Sequence, residues 1–404
     1  LNKILEELEK EASKCINCGF CDSVCPTFSA SGYKGFISAR GRVNLANSLI
    51  KEIKNSSNFS LNISEAYYSC LGCYACFEVC PAGVNAGKVS ELGRKLIIKY
   101  RKDQKKYLAE LLVKIILKYK DPLGLSKKCA EWSQGIEIDE KSNIIFYTGH
   151  MYQLMGYSKK LEKFMLDNKL IFNLSLKFLN YFPFLNKFSS YFYDKEIEER
   201  MNNILKKIFN LLKTCNINLN YLKEKEPYPG TLLLDFGYEE EFEKYSNYVT
   251  KLFHENNVET IVTIDPHTLE LFKFHYPKYA KDFNFNVVYY LDLLNVSNIK
   301  KFDKRVTYHE PCHFVRRLNY NLHLKILKEI TEVIMPLHKG RNTLCCGGPD
   351  AMLYPEISEN IACNRFNELE RTGADYIITS CPVCFTNLYK SNKVFDLAEI
   401  FEYQ

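Results

Sequence analysis

Two cysteine runs near the start constrain this chain more than any other feature. The first is Cys15-Ile16-Asn17-Cys18-Gly19-Phe20-Cys21-Asp22-Ser23-Val24-Cys25-Pro26. The second is Cys70-Leu71-Gly72-Cys73-Tyr74-Ala75-Cys76-Phe77-Glu78-Val79-Cys80-Pro81. Iron takes thiolate ligands, and a four-iron cubane needs one cysteine per iron. The two-residue gaps let one turning backbone aim three sulfurs at a single cluster, and proline ends each run after the fourth. Zinc would call for paired C-x-x-C units instead. A disulfide framework fits poorly with a chain that shows no signal-peptide pattern. The runs are therefore read as binding two [4Fe–4S] cubane clusters close enough to exchange electrons.

The spacing resembles that of bacterial two-cluster ferredoxins, in which the fourth cysteine of each run ligates the other cluster. That resemblance implies Cys15, Cys18, Cys21 and Cys80 on one cluster, and Cys70, Cys73, Cys76 and Cys25 on the other. The spacer of about 45 residues is longer than in a small ferredoxin. It carries Ser38-Ala39-Arg40-Gly41-Arg42-Val43 and a helical pattern at Leu45, Leu49 and Ile53; Val89 to Tyr100 also reads as helix. The segment resembles the α-helical ferredoxin domain found in respiratory dehydrogenases. Arg40 and Arg42 either face an acidic partner or are solvated.

A second cysteine system occupies the C-terminal third. Pro311-Cys312-His313 is followed by Cys345-Cys346-Gly347-Gly348 and by Cys381-Pro382-Val383-Cys384. Adjacent cysteines cannot close a relaxed disulfide with each other, and the glycines let backbone crowd a bulky group. The last pair follows a strand-like Tyr376-Ile377-Ile378-Thr379-Ser380, at the strand end where α/β folds bind ligands. The arrangement resembles the CCG domain of heterodisulfide reductase catalytic subunits. The same family includes the iron–sulfur subunits of glycolate oxidase, D-lactate dehydrogenase and anaerobic glycerol-3-phosphate dehydrogenase. It implies that Cys312, Cys345, Cys346, Cys381 and Cys384 hold one further metal centre. A noncubane [4Fe–4S] cluster is favoured, with zinc or an ordinary cubane as alternatives.

The middle of the chain reads as the same module with its ligands erased. Glu259-Thr260-Ile261-Val262-Thr263-Ile264-Asp265-Pro266-His267-Thr268 tracks Asp375-Tyr376-Ile377-Ile378-Thr379-Ser380-Cys381-Pro382-Val383-Cys384. His150, Asp235, Phe236, Asp265 and Thr268 then stand at the five ligand positions. His150, Asp235 and Asp265 could hold a divalent metal, but Phe236 among them favours a filled pocket. In the heterodisulfide reductase branch two such clusters share the splitting of a disulfide. A chain with one intact module is therefore expected to relay single electrons.

The expected fold class is α+β multidomain: an α-helical ferredoxin domain (1–125), a degenerate α/β CCG module (140–300) and an intact CCG module (301–404). Strands are expected at Thr231–Asp235, Thr260–Ile264, Val306–Tyr308 and Asp375–Thr379, in largely parallel sheets. Between His150 and Asp235 lie 84 residues, against 32 in the matching gap of the intact module. The excess forms a helical insertion from about Ser158 to Tyr221. Leu170, Leu174, Phe178, Tyr181, Phe182, Leu185 and Phe188 share one face, with Lys169, Lys177 and Lys187 opposite and Pro183 as a break. Such a segment suits an interfacial membrane anchor, a partner interface or a helical cap. Arg101 to Tyr119 is a second basic amphipathic candidate, with Leu108, Leu111, Leu112, Ile115 and Ile116 among lysines. No apolar run is long enough for a transmembrane helix.

Thirteen of the sixteen cysteines fall in the three motifs, leaving Cys129, Cys215 and Cys363 as small apolar residues. His309 and His313, flanking Cys312, could hydrogen-bond to cluster sulfurs. His254, His267, His275, His323 and His338 carry no signal, and Trp132 reads as packing. A net charge of +6 gives no argument for nucleic acid. No Gly-rich phosphate loop points to a flavin or nucleotide site.

The resemblance implies the iron–sulfur subunit of a membrane-associated dehydrogenase. Partners would be a FAD subunit acting on glycerol 3-phosphate, glycolate or D-lactate, and a quinone as acceptor. The expected place is cytoplasmic, peripheral on the inner membrane face. Alternatives are a heterodisulfide reductase-like subunit acting on a thiol or disulfide, and a non-enzymatic anchor holding structural zinc.

Overall fold

The computed structural model of the chain describes residues 2–56, 62–100, 103, 106–168 and 192–403. Its N-terminal part is helical. Asn2–Ala12, Ala39–Ser56 and Ala86–Tyr100 pack on one another through Leu8, Val43, Ala46, Leu49, Val89, Leu92 and Leu96. The cysteine runs sit between these helices, each with a short helix at its third cysteine, Phe20–Ser23 and Ala75–Glu78. Gly41 explains itself here: a Cβ at this position would lie 1.8 Å from the Gly35 carbonyl oxygen. Gly41→Ala must therefore push the Gly35 turn off the helix. We expect a fall in melting temperature of several degrees, measurable by thermal unfolding of the anoxic holoprotein.

Two three-stranded parallel sheets follow, with the same order. The first is β1 (Ile144–Tyr147), β2 (Thr260–Thr263) and β3 (Asn286–Tyr289), with β2 in the centre. The second is β4 (Val306–Tyr308), β5 (Tyr376–Thr379) and β6 (Val394–Asp396), with β5 in the centre. Both central strands are rich in β-branched residues and buried at all but their first residue. Each leads through two residues into a proline-opened helix, at Asp265-Pro266 and at Cys381-Pro382. The C-terminal ends of β1 and β2 thus present His150 and Asp265. Those of β4 and β5 present Cys312 and Cys381.

Three sequence expectations need correction. Thr231–Asp235 is a helical turn, not a strand. Gly230 enters it at φ 92°, and the outer edge of β1 is already occupied by Asn220, which exchanges backbone hydrogen bonds with Ile144 and Phe146. No ladder is left for 231–235 to join. Arg42 is neither solvated nor facing a partner: it is 2% exposed. Third, the amphipathic face of Tyr107–Tyr119 is internal, with Leu108, Leu111, Leu112, Ile115 and Ile116 all buried. That face closes the core between the N-terminal helices and the first sheet, so it has no surface for a membrane.

The insertion divides. Met151–Asp167 and Lys195–Thr214 pack together, and the latter buries Met201, Ile204, Leu205, Ile208, Phe209 and Leu212 in a core shared by both sheets. Arg200 pairs with Glu399 (Nε to Oε1 2.7 Å), tying this helix to the second sheet's module. This portion is a structural bridge. The aromatic face from Leu170 to Phe188, with Lys169, Lys177, Pro183 and Lys187, lies outside the described residues.

Candidate iron–sulfur centres and the cleft beside them

Cys15, Cys18, Cys21 and Cys80 line one small cavity, together with Gly19, Arg40 and Val84. Gly19 and Asn17 both take left-handed backbone (φ 84° and 58°), which turns the loop around the cavity. The Val84 amide donates to Cys80 Sγ at 3.2 Å. Burial, with Asp22, Cys15 and Cys80 nearby, pushes the Cys21 thiol up to about 12. Such crowding disfavours thiolates in the absence of a cation. Iron binding reverses that balance.

The second set gathers in the same way. Cys76 is buried and held well above the ordinary thiol range, first by burial and then by Cys73, Cys70 and Cys25. Arg42 organises it. Its Nε donates to Ala66 O (2.6 Å), its Nη2 to Thr27 and Ser69 (2.9 and 3.0 Å), and its Nη1 lies 3.7 Å from Cys25 Sγ.

The five C-terminal cysteines form one connected group. Cys345 is hydrogen-bonded to Cys312 and to Cys346, and Cys346 to Cys384, which in turn meets Cys381. Gly347 (φ 84°) and Gly348 keep the approach open: a Cβ would meet Ser358 O at 2.7 Å or Val383 Cγ1 at 2.3 Å. Their amides point at Cys345 and Cys346 sulfurs, at 3.4 and 3.5 Å. This thiol-rich, amide-lined shell fits an iron–sulfur group.

His309 reaches the same group. Arg365 Nε donates to His309 Nδ1 at 3.0 Å, so Nε2 carries the ring proton. One ring nitrogen lies within 4.8 Å of both Cys346 and Cys384 sulfurs. In that tautomer the ring offers Cys346 an N–H rather than a lone pair, so His309 suits a donor to a sulfur and not a metal ligand. Arg365 is itself fully buried, anchored on Glu368 (2.6 Å) and His338 O (3.1 Å). Nothing in the sequence links Arg365 to His309, which lies 56 residues away.

The second and third groups touch. Cys73, Cys312 and Cys345 share one buried cluster. The Cys345 contact, against the upward push of burial, holds the Cys73 thiol down at about 6. The junction is pinned by Arg316 Nη1 on Cys73 O (2.9 Å), Arg341 on Glu78 (2.6 Å) and Asn360 on Ala30 O (3.0 Å). These polar contacts cross more than 240 residues of sequence, beyond the reach of motif reading.

The ligand-free module behaves differently. His150 is hydrogen-bonded to Asp121 (Nδ1 to Oδ2 2.6 Å). Asp265 caps its helix, accepting from the His267 and Thr268 amides at 2.9 and 3.0 Å. Phe236 is buried. Among the described residues His150, Asp235 and Asp265 form no metal-sized group. Of the remaining cysteines, Cys129 is buried against Asp121, Cys215 meets Tyr403 and Cys363 meets Glu359.

Between the two modules runs a cleft of about 200 Å³. Met151, Leu154, Leu161 and Met165 form one apolar wall, while Cys70, Gly348 and Val383 bring both cysteine systems to its far side. Its floor carries His313, His267, Arg317, Arg94 and Asp235. His313 stacks on His267 (centroids 3.9 Å apart) and is hydrogen-bonded to Glu270, which pairs with Arg317 at 2.6 Å. His267 gave no sequence signal, because its partner lies in the other module.

The family comparisons agree with this geometry. Residues 11–84 match the model of the 4Fe-4S dicluster domain, and residues 306–389 that of the CCG cysteine-rich domain. The chain therefore carries a 4Fe-4S dicluster domain and a CCG domain. One CCG-domain relative is a subunit of the dihydromethanophenazine:CoB–CoM heterodisulfide reductase of Methanosarcina acetivorans, 24% identical over 94% of this chain and 88% of that protein. Another is the EtfAB:quinone oxidoreductase of Syntrophomonas wolfei, 20% identical over 96% of this chain and 58% of that protein. A probable glycolate oxidase iron-sulfur subunit of Bacillus subtilis is 33% identical, but over 25% of this chain and 22% of its own length. The two matched domains leave the ligand-free module of this CCG-domain protein between them.

Proposed function

We propose that the chain is the iron–sulfur electron-transfer subunit of an oxidoreductase complex. In this reading it takes electrons from a FAD-containing dehydrogenase subunit and passes them towards quinone. Two cubanes are held by the ferredoxin-type cysteines in the crossed pairing, and a noncubane [4Fe–4S] cluster by Cys312, Cys345, Cys346, Cys381 and Cys384. The contact between Cys73 and Cys345 carries the proposal, because it joins two otherwise separate cysteine systems into one path. When bound, these groups supply one-electron carriers. The chain's own residues fix their spacing (Arg42, Arg316), donate to their sulfurs (His309, Gly347, Gly348) and keep water from the junction.

The apolar cleft beside Cys70 and Gly348 suits a lipophilic acceptor, and one relative that matches almost all of this chain is named for quinone. The cleft also gives a second reading some support. A disulfide could be reduced there at the single CCG centre, as the name of the Methanosarcina relative suggests. A zinc-holding anchor is the third reading, and a full iron complement at the CCG cysteines would eliminate it. Anoxic purification with identification of bound partners separates the first two. A FAD-dependent dehydrogenase supports the relay, whereas a hydrogenase or thiol-metabolising partner supports disulfide chemistry.

No described helix is long and apolar enough to cross a membrane; in this reading attachment would come from the aromatic Leu170–Phe188 stretch of the insertion. The double variant F178E/F182E should shift the protein from the vesicle fraction to the unbound fraction in a flotation assay with anionic vesicles. Unchanged flotation would assign the aromatic face to packing or to a partner.

A further inference from the structure

Asp235 stands where the intact module has its first paired cysteine, and its place has not simply been filled in. Its side chain is exposed to the cleft that it lines. Among the described residues it accepts no hydrogen bond and makes no ion pair. The next residue, Phe236, is buried and holds the turn in place. Arg94 lines the same floor, 6% exposed, with Nη1 on Cys70 O (3.3 Å) and a buried Nε that has no partner. A carboxyl group and a guanidinium group therefore line one cavity, beside a residue of each cysteine system.

Reduction of a quinone needs protons as well as electrons. Two carbonyl groups become two hydroxyls, taking two electrons and two protons, and the iron–sulfur groups supply only the electrons. Resting on the quinone reading above, we propose that Asp235 is the proton donor of the cleft, so that the ligand-free module supplies the acid for the reaction driven by the intact one. Electrons reach the acceptor one at a time from the CCG side, on the Gly348 and Val383 wall. The Asp235 O–H bond breaks as one quinone oxygen gains its hydrogen. The carboxylate is then reprotonated from water entering the cleft mouth, and that proton completes the second hydroxyl. Arg94, lining the same cleft, places a positive charge beside the developing hydroxyl oxygen. Burial raises the affinity of Asp235 for a proton, opposed by Arg94, His313 and Arg317.

The test compares acceptors on the same holoprotein. Iron-loaded chain is reduced anoxically with dithionite, freed of excess, and mixed with menadione or with ferricyanide, which takes an electron and no proton. Cluster reoxidation is followed by absorbance. Asp235→Asn should slow menadione reduction about a hundredfold and still discharge to ferricyanide, with iron per chain and EPR signals as in the wild type. Asp235→Glu should recover part of the menadione rate. In D₂O the wild type should slow with menadione and not with ferricyanide, a readout independent of any variant. Equal menadione rates in wild type and D235N, or no solvent isotope effect, would overturn the assignment while leaving the quinone reading intact. A wild type that discharges to ferricyanide and not to menadione would overturn both.

Discussion

Cys76→Ala, purified without oxygen, should carry about four fewer iron atoms per chain than the wild type and should no longer pass electrons from the first cubane to the CCG centre. Cys76 is buried between Cys73, Cys70 and Cys25, so its loss empties the middle of the proposed path. The cavity of Cys15, Cys18, Cys21 and Cys80 should keep its cluster, because none of its lining residues depends on Cys76. The distinctive readout is the order of reduction. With less than one electron equivalent per chain, the wild type should show the electron shared among its centres by EPR. The variant should trap it at the first. A CCG signal that appears as fast in C76A as in the wild type would mean that the second set is not on the path.

Arg42→Met should be the most damaging change that leaves every proposed ligand residue in place. Arg42 is 2% exposed and ties Ala66, Thr27 and Ser69 together beside Cys25. Removing it deletes three buried charge-assisted hydrogen bonds, each worth about 1.5–3 kcal/mol. The sum is enough to undo the loop that carries Cys25 towards the Cys70 run. We expect loss of the second cubane with the first retained, and a clear drop in urea midpoint. Arg42→Lys should not restore it, since one ammonium cannot span the same three sites. Normal iron content in R42M would show that the cysteines alone shape the site.

The contrast between Arg42 and the cysteines shows what could be read in advance. Cysteine spacing is local chemistry, and all thirteen motif cysteines fall into three groups in space. The repeated strand-proline unit was legible too, because β2 and β5 share their pattern of β-branched residues and proline. Polar residues whose partners lie far along the chain were not. Arg42 looked like a surface charge until Ala66 and Ser69 folded over it. Arg365 gave no hint that it sets the tautomer of His309, and His267 none that it stacks on His313. The Leu-rich Thr231–Asp235 run misled for another reason. Its apolar residues suit a strand or a helical turn equally, and the decision came from the edge of β1, already taken by Asn220. Asp235 itself aligned with a lost ligand, but its opening onto the cleft depends on helices from three parts of the chain.

The central claim is that the ferredoxin-type and CCG cysteines form one continuous electron path through Cys73 and Cys345. EPR of the fully reduced, anoxically isolated chain tests it most directly. The account predicts three iron–sulfur signals, with those of the second cubane and the CCG centre broadened by spin–spin coupling across their shared boundary. Zinc at the CCG cysteines, or a CCG signal with no coupling to any cubane, would contradict it.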